Sequence, residues 1–316
     1  MKGSTRLALL SLHVALAAGT YVLSKLATDG FPSVEALTLA RALGTTLLLL
    51  LLTGTLVPKP DFDGRTWARL FGLGVLVVPV NQYLFLRGLK DSVPGHSALL
   101  YALTPLGILL LSSVFHRSLP PRRSVVGVLL ALVGAVVVLR PWARGETVSQ
   151  VRRGDLLLLL AVVAWVFYTV AIRDLCRRHD ARTVTAWTLI LGTLAMLPVG
   201  GTALKELHWS AIPTTAWCGL AWMITITSVT MMLLWGFLLR HLDPVQVSIC
   251  MNAQPPATAL LQTALASAGL VAFPEPLGWA FLVGMVLVIA GSLLVQRSPT
   301  STLVAEATAT APAAPD

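Results

Sequence analysis

Charge is what this chain has least of. Asp, Glu, Lys and Arg make up 12% of its residues, against about 25% in a soluble globular protein, so a water-facing surface is not available to most of it. Acids are scarcer than bases, 14 against 23, and the net charge is +9. The basic excess does not gather into one stripe but punctuates apolar runs, which argues against nucleic-acid binding and for loop charges that orient a membrane protein. Cysteine is nearly absent: Cys176, Cys218 and Cys250 are scattered without a CxxC, which excludes a disulfide framework or zinc site and leaves small packing residues. His13, His96, His116, His179, His208 and His241 form no HExxH, and neither GxSxG, a P-loop nor a strand-to-helix GxGxxG is present. The familiar signatures of a metalloprotease, a serine hydrolase or an ATP-driven pump are thus missing.

What fills the chain instead is apolar: 56% hydrophobic residues, with a mean hydropathy of +0.79. A span needs roughly 20 such residues. Segments of that kind read at about 7–26, 33–56, 67–89, 94–115, 124–140, 155–175, 183–203, 214–239, 244–268 and 276–296, with ends uncertain by a few residues. Lys2, Arg6 and Ala15-Leu16-Ala17 also fit a cleavable signal peptide. The repeat described next argues for retention, since it gives the first segment a counterpart.

Ser97-Ala-Leu-Leu-Tyr-Ala-Leu-Thr-Pro105 returns as Ser248-Ile-Cys-Met-Asn-Ala-Gln-Pro-Pro256, with serine, alanine and proline at matching positions. Lys25 maps onto Arg173, Gly44-Thr45 onto Gly192-Thr193, Asp91 onto Asp243, and Gly127 and Gly134 onto Gly284 and Gly291. The expected fold is therefore an all-α integral membrane protein of ten transmembrane helices in two five-helix repeats, 7–140 and 154–296, followed by a disordered cytoplasmic tail, 298–316. An odd number of helices per repeat requires the halves to insert with opposite orientation. With the N-terminus inside, Lys2, Arg6, Lys59, Arg65, Arg69, Arg117, Arg122, Arg123, Arg173, Arg177, Arg178, Arg182, Arg240 and Arg297 are cytoplasmic. Only Arg87, Lys90, Arg140, Arg144, Arg152, Arg153 and Lys205 then lie outside, so both termini are expected inside. Gly127/Gly134 and Gly284/Gly291 mark close helix contacts.

In this order, Gly19-Thr-Tyr-Val-Leu-Ser-Lys25, Pro32, Arg41, Gln82, Gly88-Leu89, Ser97-Ala98 and Leu103-Thr-Pro105 resemble the drug/metabolite transporter superfamily. Gly154-Asp155, Trp165, Leu242-Asp-Pro244, Gln254-Pro255 and the Gly284/Gly291 pair fit the same pattern, that of a ten-helix protein with two EamA-type repeats. The resemblance covers about residues 7–296 and implies a secondary transporter, usually of metabolites and often an exporter, in the inner (plasma) membrane. The chain departs from the family at the glutamate often found between the fourth and fifth helices of each half: the second half has Glu275, the first His116-Arg117.

Polar groups at membrane depth supply the candidate site. Tyr21, Asn81, Gln82, Tyr101, Trp165, Tyr168, Asn252 and Gln254 are the candidate substrate-binding residues, between helix breaks at Pro105 and Pro256. Asn81 and Gln82 serve equally as interhelical glue. Trp165 and Tyr168 are an aromatic wall or core packing. Trp187, Trp222 and Trp235 are further aromatics for interface belts or packing. Lys25 and Arg41 are candidates for gating or charge recognition, with the alternatives that Lys25 snorkels to the interface and that Arg41 meets Glu35, a backbone carbonyl or a substrate carboxylate. His13 is packing or a proton carrier. Asp29, Asp91, Asp155, Asp243 and Glu275 fall near segment ends, which leaves a mid-membrane carboxylate relay unsupported.

The function expected is export of a small organic metabolite, an amino acid or derivative, by alternating access. An intramembrane lipid-modifying enzyme and a non-transporting scaffold are the alternatives. No cofactor or metal is expected. The expected partners are the small-molecule substrate and the lipid bilayer, with no nucleic acid and with a homodimer left open.

Overall fold

A computed structural model describes residues 3–52, 61–115, 122–139, 142–143, 145–231, 234, 244–269 and 278–296. Several sequence expectations lie outside the described residues: the tail 298–316, Glu275, His116-Arg117, Trp235, Leu242-Asp243, and the loop residues Lys2, Lys59, Arg140, Arg144, Arg240 and Arg297.

The described residues are helical, without strands, and form ten helices in chain order. They are α1 (Gly3–Gly30), α2 (Val34–Leu52), α3 (Gly64–Asp91), α4 (Pro94–Tyr101 with Thr104–Phe115) and α5 (Arg122–Leu139). The second repeat supplies α6 (Glu146–Arg178), α7 (Ala181–Lys205), α8 (Thr214–Trp222 continuing as Met223–Thr230), α9 (Pro244–Ser267) and α10 (Trp279–Gln296). Seven of these helices are long and apolar enough to cross a membrane, and α10 is a shorter apolar helix over Trp279–Val295. Leu51, Val114, Leu160, Leu260 and Val286 are exposed on helix flanks, a surface that suits lipid and that water would reject.

Helix pairing follows a pseudo-two-fold axis. Helix α5 packs on α10 and α2 on α7, each with its own counterpart. The contacts of α1 with α8 and α9 are mirrored by those of α6 with α3 and α4. A Cβ on Gly127 would sit 2.6 Å from Gly291 O, and one on Gly134 2.8 Å from Gly284 O. The order reverses along the pair, so α5 and α10 are antiparallel. Helices α2 and α7 are antiparallel too: Gly200 faces Glu35 and Leu39, while Thr46 Oγ1 lies 3.1 Å from Thr193 Oγ1. Counterpart helices that run antiparallel give the two repeats opposite orientation, as odd-numbered repeats require.

Backbone irregularities recur in the third helix of each repeat. Leu76–Gln82 of α3 and Met223–Thr230 of α8 are π-helical turns, a wider winding often found at functional sites. Pro79 in the first lacks an N–H and cannot keep α-helical bonding there. The second has no proline, and Thr230 Oγ1 donates to Thr225 O across the wide turn at 2.9 Å.

The two expected helix breaks come out differently. In α4 the helix gives way to a turn at Ala102-Leu103, just before Pro105, and Ser292 Oγ of α10 donates to the buried Ala102 carbonyl at 3.3 Å. At Pro256 the expected interruption is corrected: α9 runs unbroken through Pro255 and Pro256. Two adjacent prolines remove helix donors, but their fixed φ is itself helical, and surrounding helices hold the rod. A second correction concerns α6, which begins at Glu146 rather than near 155. Asp155 therefore lies well inside a helix.

Candidate functional site

The repeated stretch positions the first part of the site. The π-turn of α3 carries Asn81 toward α4 and α6, where Asn81 Nδ2 donates to Tyr101 Oη at 3.1 Å and to Ala161 O at 2.7 Å. Tyr101 lies in the last turn before the α4 break. Its ring meets Tyr21 of α1 at 6.2 Å and Phe85 of α3 at 5.5 Å between centroids, and Tyr21 and Phe85 are 6.2 Å apart. Tyr21 Oη reaches Gln254 Oε1 of α9 at 3.5 Å. Tyr21, Asn81, Tyr101 and Gln254 thus form one connected group drawn from α1, α3, α4 and α9. Arg41 of α2 is buried within electrostatic reach of Tyr101.

Buried polar atoms without partners occur on α2, α3 and α9, as well as elsewhere among the described residues. Asn252 is 6% exposed, and neither Oδ1 nor Nδ2 has a hydrogen-bond partner; Arg41 Nε and Gln82 Oε1 are likewise buried and unpartnered. Each such group costs about 1–3 kcal/mol when left unsatisfied, and native structures keep few of them. Glu35 does not pair with Arg41: its carboxylate accepts from Ser33 Oγ at 2.7 Å and Tyr83 Oη at 2.9 Å.

Other candidates fall elsewhere. Trp165 and Tyr168, with ring centroids 5.4 Å apart, belong to a second apolar cluster with Leu70, Leu73, Val184 and Met196. They are not joined to the tyrosine group around Tyr101. Trp222 packs on Gly19 and donates from Nε1 to Thr20 Oγ1 at 3.3 Å, so it tethers α8 to α1. His13 is buried on α1. Lys25 does not snorkel. It is 2% exposed, and Nζ donates to Leu89 O at 3.0 Å and Lys90 O at 2.6 Å and pairs with Asp29 at 3.0 Å. An ammonium has three protons to give, and the last carbonyls of α3 and one carboxylate take them. A cation at the negative end of a helix is favoured, so Lys25 ties α1 to α3.

Sequence reasoning missed one polar cluster. Asp155 of α6 accepts from His96 Nδ1 at 2.8 Å and from Ser92 Oγ, and all three side chains are buried. An ionised carboxylate only accepts, so the imidazole carries its proton on Nδ1. The carboxylate is the hub, whereas a nucleophilic triad chains serine to histidine to acid. The spacing Ser92/His96 places both on one side of the α4 entrance, but nothing local names Asp155 as their partner.

A cavity of about 430 Å³ opens between α3 and α6, lined by Arg69, Gly72, Leu73, Leu76, Ala171 and Leu175. None of the expected binding residues lines it. Among the described residues no group of three His, Cys, Asp or Glu is placed to hold a metal.

The paired π-turns, the antiparallel counterpart helices and the two-repeat order agree with a sequence profile that matches the chain twice, at residues 5–140 and 152–297. The chain belongs to the EamA-like transporter family. An uncharacterized transporter of Bacillus subtilis (strain 168), YyaM, is 26% identical over 223 residues, 70% of this chain and 70% of its own. An uncharacterized transporter of Archaeoglobus fulgidus is 24% identical over 231 residues, covering 72% of this chain and 77% of that protein. A solved crystal structure shares the fold with a TM-score of 0.57 and 21% identity, over 98% of this chain and 99% of that one. The EamA-type protein is accordingly a multi-pass membrane transporter, and family and relatives point to transport rather than catalysis.

Proposed function

We propose that the chain is a secondary transporter that exports a small organic metabolite, an amino acid or derivative, from the cell across its inner membrane. The repeats, 7–140 and 154–296, rock about the pseudo-two-fold axis and expose a site at their interface alternately to either side. The observation that carries this reading is the unpartnered, buried Asn252 amide together with Arg41 Nε and Gln82 Oε1. Hydrogen-bonding groups kept idle in a protein interior are best explained by a ligand that pairs with them. Tyr21 and Tyr101 supply apolar surface with polar tips, and Arg41 suits a carboxylate. Lys25 has its donors engaged and is left out of the substrate site. Both termini are cytoplasmic in this reading.

The test is a substrate panel in cells lacking the protein, followed by flux in proteoliposomes. Asn252→Leu and Tyr101→Leu should lower flux or change substrate preference at wild-type abundance. Unchanged kinetics in both would place the site elsewhere. Cysteine labelling in the 141–145 connection should occur from outside in intact cells; labelling only after permeabilisation would reverse the topology.

A further inference from the structure

The Ser92–His96–Asp155 cluster joins the two repeats at one end of the molecule. Ser92 and His96 belong to the first repeat, at the α3–α4 connection, and Asp155 to α6 of the second. This end is tightly closed. A Cβ on Gly154 would lie 2.6 Å from Gly88 O, Gln262 Oε1 of α9 accepts from Gly95 N at 2.8 Å, and the His96 ring stacks on Phe281 of α10 at 5.8 Å. Asp155 is 1% and His96 5% exposed. No step of the substrate reading uses them.

We infer that Asp155 is a proton-binding site linked to the opening of this face, which is the outer face in the proposed orientation. The inference rests on the alternating-access reading. In the closed state the carboxylate holds two donors, one from Ser92 and one from His96. Opening parts the repeats and strips both away. Wetted by the opening and without the two hydrogen bonds that favour its charged form, the carboxylate takes a proton from water, which forms the carboxyl O–H bond. On closing, two donors again meet the group; a carboxylic acid cannot satisfy both as the anion does, and the proton returns to water. Ser92 and His96 keep their own protons throughout.

Among the described residues, the other charged groups near this face are engaged or exposed. On α1, Lys25 and Asp29 pair with each other. On α3, Lys90 donates to Phe31 O and Pro32 O, Asp91 accepts from Gln150, and Arg87 acts on Glu35. On α6, Arg152 donates to Ala143 O, and Glu146 and Arg153 are exposed. Helix α10 contributes no ionisable side chain, and α9 only Cys250.

The experiment measures the separation of nitroxide labels at Pro32→Cys and Thr147→Cys, both exposed at this face on opposite repeats, by pulsed electron resonance in lipid nanodiscs over a pH series. Cys176, Cys218 and Cys250 are replaced by alanine. The long-distance population should grow as pH falls, by up to about tenfold in the open-to-closed ratio per pH unit, the limit for one linked proton. Asp155→Asn should abolish the pH dependence. Ser92→Ala, which removes one donor from the closed state, should move the midpoint to higher pH. An Asp155→Asn protein with the wild-type slope overturns the inference. If that variant fails to fold, coincident wild-type and Ser92→Ala curves overturn it instead. Two distances whose ratio ignores pH would remove the proton site and leave alternating access standing; a single distance in every variant at every pH would remove both.

Discussion

Replacing Gly127 or Gly291 by alanine tests the seam that joins the repeats. A Cβ on Gly127 would stand 2.6 Å from Gly291 O, where ordinary contact begins at 3.4 Å. The obstacle is backbone on a facing helix, so no side chain can swing aside, and the helices must separate. Overpacking of this kind costs about 1–3 kcal/mol. A Cβ on Gly291 meets Gly127 O and, at 2.8 Å, Ala131 N, so both substitutions are relieved by one separation of α5 from α10. The double variant Gly127→Ala/Gly291→Ala should therefore destabilise less than the sum of the singles, by roughly 0.5–3 kcal/mol. Gly284 meets Gly134 O at 2.7 Å, two turns away, a rise of about 10 Å along the helix. Gly127→Ala with Gly284→Ala should add to within about 0.5 kcal/mol. Equilibrium unfolding by SDS in mixed micelles, followed by tryptophan fluorescence, measures all of these. Singles that unfold like wild type, or a 127/291 pair that is additive, would refute the close-packed seam.

Two further perturbations separate structural from functional polar groups. Lys25→Ala should destabilise by about 3 kcal/mol, because it opens a cavity and strips two carbonyls and Asp29 of their donor. Asp29→Ala, at a carboxylate 43% exposed, should cost less than about 1 kcal/mol; the reverse order in the same unfolding assay would contradict the capping role of Lys25. Tyr101→Phe leaves Asn81 its bond to Ala161 O, so stability should fall by only about 1 kcal/mol. In the flux assay the same variant should change the apparent KM more than abundance, and an unchanged KM would take the phenol out of the substrate site.

How much of this was legible in the sequence differs from residue to residue. Ten helices, two repeats and their opposed orientation follow from apolar length and from an odd-numbered duplication, because a bilayer leaves helices as the only way to satisfy the backbone of such segments. The glycine seam was readable for a related reason: only a residue without Cβ lets backbones touch, so matching glycine spacings mark a contact. The break before Pro105 was readable from a missing donor, yet the same chemistry at Pro256 left a continuous helix, since proline only permits an interruption and packing decides it.

The rest belongs to tertiary structure. The grouping of Tyr21, Tyr101, Asn81 and Gln254 depends on which helix faces which, and segments apolar on every face carry no periodicity to orient them. The same lack of periodicity put Trp165 and Tyr168 with that group in the sequence reading, whereas the structure packs them in the second apolar cluster. Lys25 read as a gating or interfacial cation because its partners are main-chain carbonyls on another helix, which no side-chain pattern announces. Asp155 read as a span end because α6 starts at Glu146; its meeting with Ser92 and His96 is set by the close approach of Gly88 and Gly154, a distance that exists only once the two repeats have packed.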